Sequence, residues 1–358
     1  MIGVLGATGA VGRTAAERLA ASGLGGLRLG GRDAARAADV ARALPAPAEV
    51  MRVDLTDPDE LARFCTGCTI VVNCAGPTYR VLDTVARAAF AAGADYVDIG
   101  GELAAKDALA DAAVPGGRTA VFSAGVMPGL SGLLPRLLAK GRPPRRLDVY
   151  VGGAAVFTPL SAVDALLTRG PRFGVPMAAW REGAVTPLAP LHGVRLPGFP
   201  VPVHAWPYLT TEAQALAAEC GADEVRCYNV FVSDRIPQAL SAAWADVPDV
   251  HAVPLETLQP HASEVVNASL LDNADFGAFY VMLFTARPHR GAPAGPARML
   301  LTAADSYALS GVVMALAARA VLAGRVPAGA HLAAEALDPD ETVTALRDDP
   351  LVTQLTLS

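Results

Sequence analysis

Met1-Ile2-Gly3-Val4-Leu5-Gly6-Ala7-Thr8-Gly9-Ala10-Val11-Gly12 is the stretch that decides the fold. An apolar run ends at Leu5, three evenly spaced glycines follow, and a helical pattern begins directly after them. In a strand-turn-helix unit one such glycine allows the tight turn and one lets backbone approach a pyrophosphate. The third lets the helix pack closely on the strand. The free N–H groups and positive end of the new helix then face an anion. Gly6, Thr8, Gly9, Ala10, Val11 and Gly12 are therefore the expected phosphate cradle of a dinucleotide fold. A glycine triplet alone is weak; its setting makes it strong.

The second expected strand, Leu27-Arg28-Leu29-Gly30, says which dinucleotide. NAD-preferring domains place an acid here, roughly 20 residues past the glycines, on the ribose 2′-OH. This chain reads Gly30-Gly31-Arg32 instead, with no carboxylate until Asp33. The glycine pair opens space, and Arg32 offers a planar fork suited to a phosphate. The expected cofactor is NADP(H). The competing reading makes Arg32 and Asp33 a solvated turn and helix cap. Asp54, ending the third strand, either meets the adenine edge or caps the loop from Asp54 to Asp57.

At 358 residues the chain exceeds a comfortable single core, so two domains are expected. With 52% hydrophobic and 18% charged residues it reads as globular. A formal net charge of −6 argues against a nucleic-acid surface, which needs a basic face. The longest apolar candidate, Leu309 to Leu322, is short for a membrane span and carries Arg319, so it reads as a buried helix. Strand one starts at the first residue, which leaves no room for a signal peptide. Five cysteines, an odd number, suit a reducing compartment rather than a disulfide scaffold. The expectation is a cytoplasmic protein acting on a small molecule, with neither nucleic acid nor membrane as partner.

Through residue 125, short apolar runs alternate with Ala/Arg-rich helical periods, the pattern of a parallel sheet covered on both faces. Strands are expected at 1–5, 26–30, 49–53, 69–74, 95–99 and 119–123, with helices near 10–22, 33–44, 58–65, 80–92 and 102–113. Asp57-Pro58 supplies a cap and a first-turn proline for the third helix. After Ser123 a glycine and proline turn leads into a helix at about 131–140, and Pro143-Pro144 breaks the chain. A strand at 146–152 opens a strand-rich, proline-studded region running to about 303. Its helices are expected near 160–168, 211–220 and 254–270, and its long strands at 225–233, 276–286 and 297–303. The fold class is α/β: an N-terminal Rossmann domain, doubly wound on a parallel sheet, over residues 1–125. C-terminal helices at about 305–358 rejoin it, the helix Ser306 to Leu322 covering the first domain. Residues 126–304 form a second α+β domain on an open mixed or mostly antiparallel sheet.

In open α/β sheets the ligand lies beyond the carboxyl ends of the strands, near the switch in strand order. Strand four ends in Val71-Val72-Asn73-Cys74-Ala75-Gly76-Pro77. Asn73, Cys74, Ala75, Gly76 and Pro77 are candidate cofactor residues, the last three forming a side-chain-free edge for a ribose. Tyr79 and Arg80 come next, one able to donate a proton and the other to hold a carboxylate, unless both simply begin a helix. Strand five ends in Tyr96-Val97-Asp98-Ile99-Gly100-Gly101-Glu102. Asp98 and Glu102 are candidates for a proton relay, with helix capping the alternative for Glu102.

Other signals are poorer. Cys65-Thr66-Gly67-Cys68 has zinc or redox spacing but no second Cys/His pair, so reduced thiols and no metal are expected. The six histidines are scattered and read as surface or core, with His204, beside Trp206 and Tyr208, the candidate for the cleft. Arg172, Arg181 and Arg195 meet either an acidic substrate or solvent. Lys106 and Lys140 are the only lysines, and no tyrosine stands four residues before one, so the Tyr-x-x-x-Lys pair is absent. No Gly-x-Ser-x-Gly elbow occurs, which removes the commonest hydrolase alternative.

Gly6/Gly9/Gly12, Gly31-Arg32, Asn73 to Pro77 and Tyr96 to Glu102 together resemble the saccharopine dehydrogenase family in its broad sense. The resemblance is good over residues 1–140 and weak in the C-terminal helix. It implies a cofactor cleft between a Rossmann domain and an α+β domain that often dimerises through its sheet, hence a homodimer. It also implies hydride transfer to or from a carbon–nitrogen bond, usually an imine. Two departures stand out. The family commonly has an aromatic residue directly after Gly-Pro, where Thr78 here precedes Tyr79. The central domain offers no matching substrate pocket, so saccharopine itself is not the expected substrate. The expected activity is NADPH-dependent reduction of a small amino-acid-derived imine in a specialised biosynthetic route. The alternatives are an enoyl (C=C) reductase and a non-catalytic NADP sensor.

Overall fold

The computed structural model describes residues 1–110, 114–170, 172–289, 291 and 295–358. Two units emerge, Met1–Leu130 with Tyr307–Asp338, and Ser131–Ser306 with Pro339–Ser358.

The first unit is a parallel sheet. Its strands, numbered along the whole chain, are β1 (Ile2–Leu5), β2 (Leu27–Gly31), β3 (Ala48–Arg52), β4 (Ile70–Asn73), β5 (Asp95–Asp98), β6 (Thr119–Phe122) and β16 (Gly329–Leu332). They lie in the order β16-β6-β5-β4-β1-β2-β3. β1, β4 and β6 are buried at every residue, as a parallel sheet with both faces covered requires. The order reverses between β1 and β4, so their carboxyl ends open the crevice in which such sheets bind ligands. The covering helices include α1 (Ala10–Ser22), α2 (Ala34–Ala43), α3 (Pro58–Cys65), α4 (Thr78–Val81), α5 (Thr84–Ala91) and α6 (Glu102–Ala110). α12 (Ser306–Leu322) and α13 (Ala333–Ala336) come from the C-terminal part of the chain. α12 covers α1 as expected: a Cβ on Gly311 would stand 2.5 Å from the Val11 carbonyl oxygen and 2.7 Å from Thr14 Cβ.

Two glycines shape the core rather than a ligand site. Phe64, from α3, is fully buried, and a Cβ at Gly30 would fall 2.5 Å from its ring. One at Gly3 would fall 2.9 Å from it. Strand alternation turns Gly31 to the other face, where the nearest atom to its missing Cβ is Thr8 Oγ1 at 4.0 Å. The expected open glycine pair is therefore one packing glycine and one open glycine.

Three local expectations change. The single helix at 80–92 is two, because Leu82 takes a φ of +45° between α4 and α5. Tyr79 and Arg80 consequently sit inside a short helix. The helix expected over 102–113 runs to residue 110, and 111–113 lie outside the described residues. The seventh strand, β16, was not anticipated; its Gly329 to Leu332 pair with Thr119 to Phe122 of β6.

The second unit carries a mixed sheet, since β7 (Arg146–Gly153) and β13 (Glu224–Phe231) run parallel. Between them come α8 (Pro159–Leu167), β8 (Gly174–Pro176), β9 (Ala178–Arg181), β10 (Ala184–Pro187), β11 (Leu191–Val194), β12 (Val203–Thr210) and α9 (Thr211–Cys220). α7 (Leu130–Ala139) leads into this unit, and α10 (Arg235–Asp246), α11 (Leu255–Phe276), β14 (Tyr280–Arg287) and β15 (Ala297–Ala303) follow β13. The main path is β10-β9-β13-β7-β14-β15-β17, ending on β17 (Val352–Leu357), which follows α14 (Pro339–Arg347). α11 overruns the strand expected from 276 because no glycine or proline stands between Pro260 and Gly277, whose φ of +75° ends the helix. Residues 339–358, expected with the first domain, belong to the second. There β17 gives β15 an antiparallel partner and satisfies its edge. Among the described residues no helix is long and apolar enough to cross a membrane.

Candidate active site

The turn after β1 is built for close approach. Gly6 has a φ of +72°, and a Cβ there would lie 2.7 Å from the Cys74 carbonyl carbon and 2.8 Å from Ala75 N. The glycine turn and the end of β4 therefore abut backbone to backbone. A Cβ on Gly12 would lie 2.2 Å from the Gly6 carbonyl oxygen, so α1 can sit this close to the turn only with glycine there. Gly9 is different. It is exposed, has an ordinary φ of −79° and occupies the N-cap of α1, and a Cβ would meet only Gly6 O at 3.4 Å. Among the described residues no side chain caps this helix, and its first turn carries no acid. Gly9, Ala10 and Val11 thus present backbone at an uncapped helix start next to Thr8. Uncapped amides, no competing carboxylate and no Cβ are what a pyrophosphate needs.

Beside it, Thr8, Arg13, Glu17, Arg36, Asp39, Val40 and Ala43 line a cleft of about 250 Å³. Arg13 and Arg36 were not singled out in the sequence, since a charged residue in a first helical turn carries no signal of its own. Arg32 is exposed at the end of β2, while Asp33 caps α2 by accepting from Arg36 N at 3.0 Å. Asp54 accepts from Thr56 N and Oγ1 at 3.0 and 2.8 Å. Those bonds, aided by the charges of Arg32 and Arg52, hold its carboxyl below the usual range. These are the contacts of the loop-capping role, made through Oδ1 alone.

The end of β4 is a ledge held from behind. Asn73 is fully buried; its Oδ1 accepts from Ala75 N at 3.1 Å and its Nδ2 donates to Asp98 Oδ2 at 3.0 Å. With both ends of its amide bonded to protein, Asn73 supports the Ala75-Gly76-Pro77 edge from behind. Cys74 is half-buried, and desolvation pushes its thiol well up. Asp98 is buried too, taking the Tyr96 hydroxyl on Oδ2 and Gly100 N on Oδ1 at 2.9 Å. Of the two carboxylates expected in a relay, Asp98 is thus bonded to Asn73, Tyr96 and Gly100. Asp98 ties β5 to β4, with Tyr96 as a partner the sequence did not reveal.

Glu102 accepts from the Tyr79 hydroxyl at 2.8 Å, with both residues buried. Its own N–H donates to Ser123 Oγ at 3.2 Å. Glu102 and Ser123 have φ values of +45° and +60°, a conformation rare for residues with a Cβ and concentrated at functional sites. Arg80 is exposed at the end of α4. Elsewhere, Arg181 pairs with Glu224 at 2.7 Å, and Cys65 and Cys68 are buried free thiols, that of Cys65 pushed up to about 12 by burial.

Burial pushes the Asp98 carboxyl up to about 6, against the pull of its hydrogen bonds. Its unfolded value is near 3.9, so the folded protein takes up this proton first as pH falls. The group favours folding most below about pH 4, and that contribution is lost as pH rises through 6, up to about 3 kcal/mol in all. Asp98→Asn should remove this slope while lowering stability, since its NH₂ would face the Asn73 Nδ2 donor. Denaturant titrations from pH 4 to 7 check it; parallel curves for the two proteins would refute it.

Residues 2–121 match the family model of the saccharopine dehydrogenase NADP binding domain. A probable mitochondrial saccharopine dehydrogenase-like oxidoreductase of Arabidopsis thaliana is 35% identical over 112 residues, covering 28% of this chain and 25% of that protein. The match thus spans about a quarter of that relative's length. Apo saccharopine dehydrogenase (L-Glu forming) of Saccharomyces cerevisiae has a similar fold, with a TM-score of 0.70 at 14% identity over 100% of this chain and 99% of that one. Over residues 2–121 the chain is thus similar to the NADP-binding domain of saccharopine dehydrogenases, and NADP(H) is the cofactor.

Proposed function

We propose that the chain is an NADPH-dependent oxidoreductase that reduces the C=N bond of a small amino-acid-derived imine. The observation that carries this reading is the buried Tyr79–Glu102 pair just beyond the Gly76-Pro77 edge of an NADP-binding domain. Bound NADPH supplies the hydride that the imine carbon accepts. The chain's own residues bind, orient and move the proton. Backbone amides at the start of α1 hold the pyrophosphate. Arg32, helped by Arg36 and Arg13, holds the 2′-phosphate, and Ala75-Gly76-Pro77 leaves room for the ribose. The Tyr79 hydroxyl proton leaves its hydrogen bond to Glu102 for the imine nitrogen, and Tyr79 recovers one from water. Arg80 holds a substrate carboxylate. A homodimer in the cytoplasm completes the reading, its five free thiols being suited to a reducing compartment.

The test is NADPH consumption with matched panels of cyclic imines and enoyl thioesters. Turnover with imines is expected, and Tyr79→Phe should lower kcat by about 10²-fold or more while leaving the Kd for NADPH unchanged. Turnover of enoyl substrates alone, or full activity in Tyr79→Phe, would overturn the proposal.

A further inference from the structure

In the second unit, pairing of β11 with β12 sets Leu191 opposite Ala205 and Val194 opposite Val203, which brings His192 beside His204. Their Nδ1 atoms are 3.2 Å apart. Asp234 follows β13 and stands at the N-cap of α10, yet its side chain caps no amide. Instead its Oδ1 lies 3.1 Å from His204 Nδ1. That oxygen is shielded from solvent and accepts no hydrogen bond among the described residues. The backbone here is fixed on both sides, because Ser233 Oγ and Arg235 Nη1 each donate to Asp272 Oδ1, at 2.7 and 2.9 Å. Trp206 walls the pair, its ring centroid 5.5 Å from that of His192.

Hydrogen bonding alone serves this triad badly. A single proton on His204 Nδ1 reaches either His192 or Asp234, not both. If His192 donates instead, a bare nitrogen lone pair faces the carboxylate. A cation resolves the conflict, because three lone pairs then converge on it. The spacing fits: two ligands about 2.0–2.1 Å from a tetrahedral zinc stand roughly 3.3 Å apart. All three ligand atoms lie within 4.8 Å of one another. We propose that His192, His204 and Asp234 form a binding site for Zn²⁺, with water in the fourth position, clasping the β11–β12 hairpin to the start of α10. Imidazole and carboxylate ligands select such a borderline divalent ion over Mg²⁺ or Ca²⁺. The site uses none of the residues assigned to the cofactor.

The full chain, stripped with a chelator, is titrated with Zn²⁺ against a chromophoric competitor and with Co²⁺ for its visible spectrum. A single saturable site is expected, with a four-coordinate cobalt spectrum lacking a thiolate charge-transfer band. His192→Gln and Asp234→Asn should each weaken it by roughly 10²-fold or more. His192 is exposed, so its variant tests the site even if Asp234→Asn disturbs α10. No saturable uptake, a thiolate band, or affinity unchanged in His192→Gln would overturn the assignment.

Discussion

Gly9→Ala is expected to leave thermal stability within about 0.5 kcal/mol of the parent, as exposed substitutions usually do, while weakening NADPH binding about 10–100-fold. The added Cβ fits the protein: Gly9 has an ordinary φ, and the new atom meets only Gly6 O, at 3.4 Å. What it obstructs is the exposed start of α1, where backbone amides take the pyrophosphate through charge-assisted hydrogen bonds. Gly12→Ala is expected to behave in the opposite order. Its Cβ would collide with the Gly6 carbonyl oxygen at 2.2 Å and with Ala7 Cα at 2.9 Å, both backbone atoms that cannot swing aside. α1 must retreat, so stability falls by about 1–3 kcal/mol or more, and binding is lost with it. Melting curves and NADPH titrations of both variants check the pair. Parent-like affinity in Gly9→Ala would place the pyrophosphate elsewhere.

Arg32→Ala combined with Arg36→Ala is expected to raise the Kd for NADPH by about 10–100-fold, the loss of one or more charge-assisted phosphate contacts, and to leave that for NADH nearly unchanged. Gly31 is the open side of β2, 4.0 Å from Thr8 Oγ1; Arg32 follows it in the chain, and Arg36 lines the cleft with Thr8. The Asp54 carboxylate draws on the charge of Arg32 but is engaged chiefly by Thr56. Arg32 therefore has its guanidinium at the surface for an incoming phosphate. Fluorescence titration with both nucleotides is the measurement. An equal loss for NADPH and NADH would show that these arginines serve the shared part of the cofactor or the fold.

The first unit was legible because its signals are local and agree with each other. Glycine spacing, apolar runs of strand length and capping residues all specify the same parallel sheet. The resolution failed where a residue's task depends on a distant partner. Gly30 looked like open space until Phe64, thirty-odd residues away in sequence, filled it. Nothing near Asn73 in sequence points to its partner across the strands, Asp98. Tyr79 and Glu102 stand 23 residues apart in the chain, and only folding joins them. The positive φ of Glu102 leaves no trace in composition or period. β17 could be placed only by knowing that β15 has a free edge. His192 and His204 read as scattered because a cross-strand pair has no fixed spacing along the chain.

Isothermal titration of the purified chain with NADPH and with NADH tests the central claim most directly. The account predicts one saturable site for NADPH, at least about tenfold tighter than for NADH because the 2′-phosphate adds a charge-assisted contact. Heat from neither nucleotide, or equal affinity for the two, would contradict it.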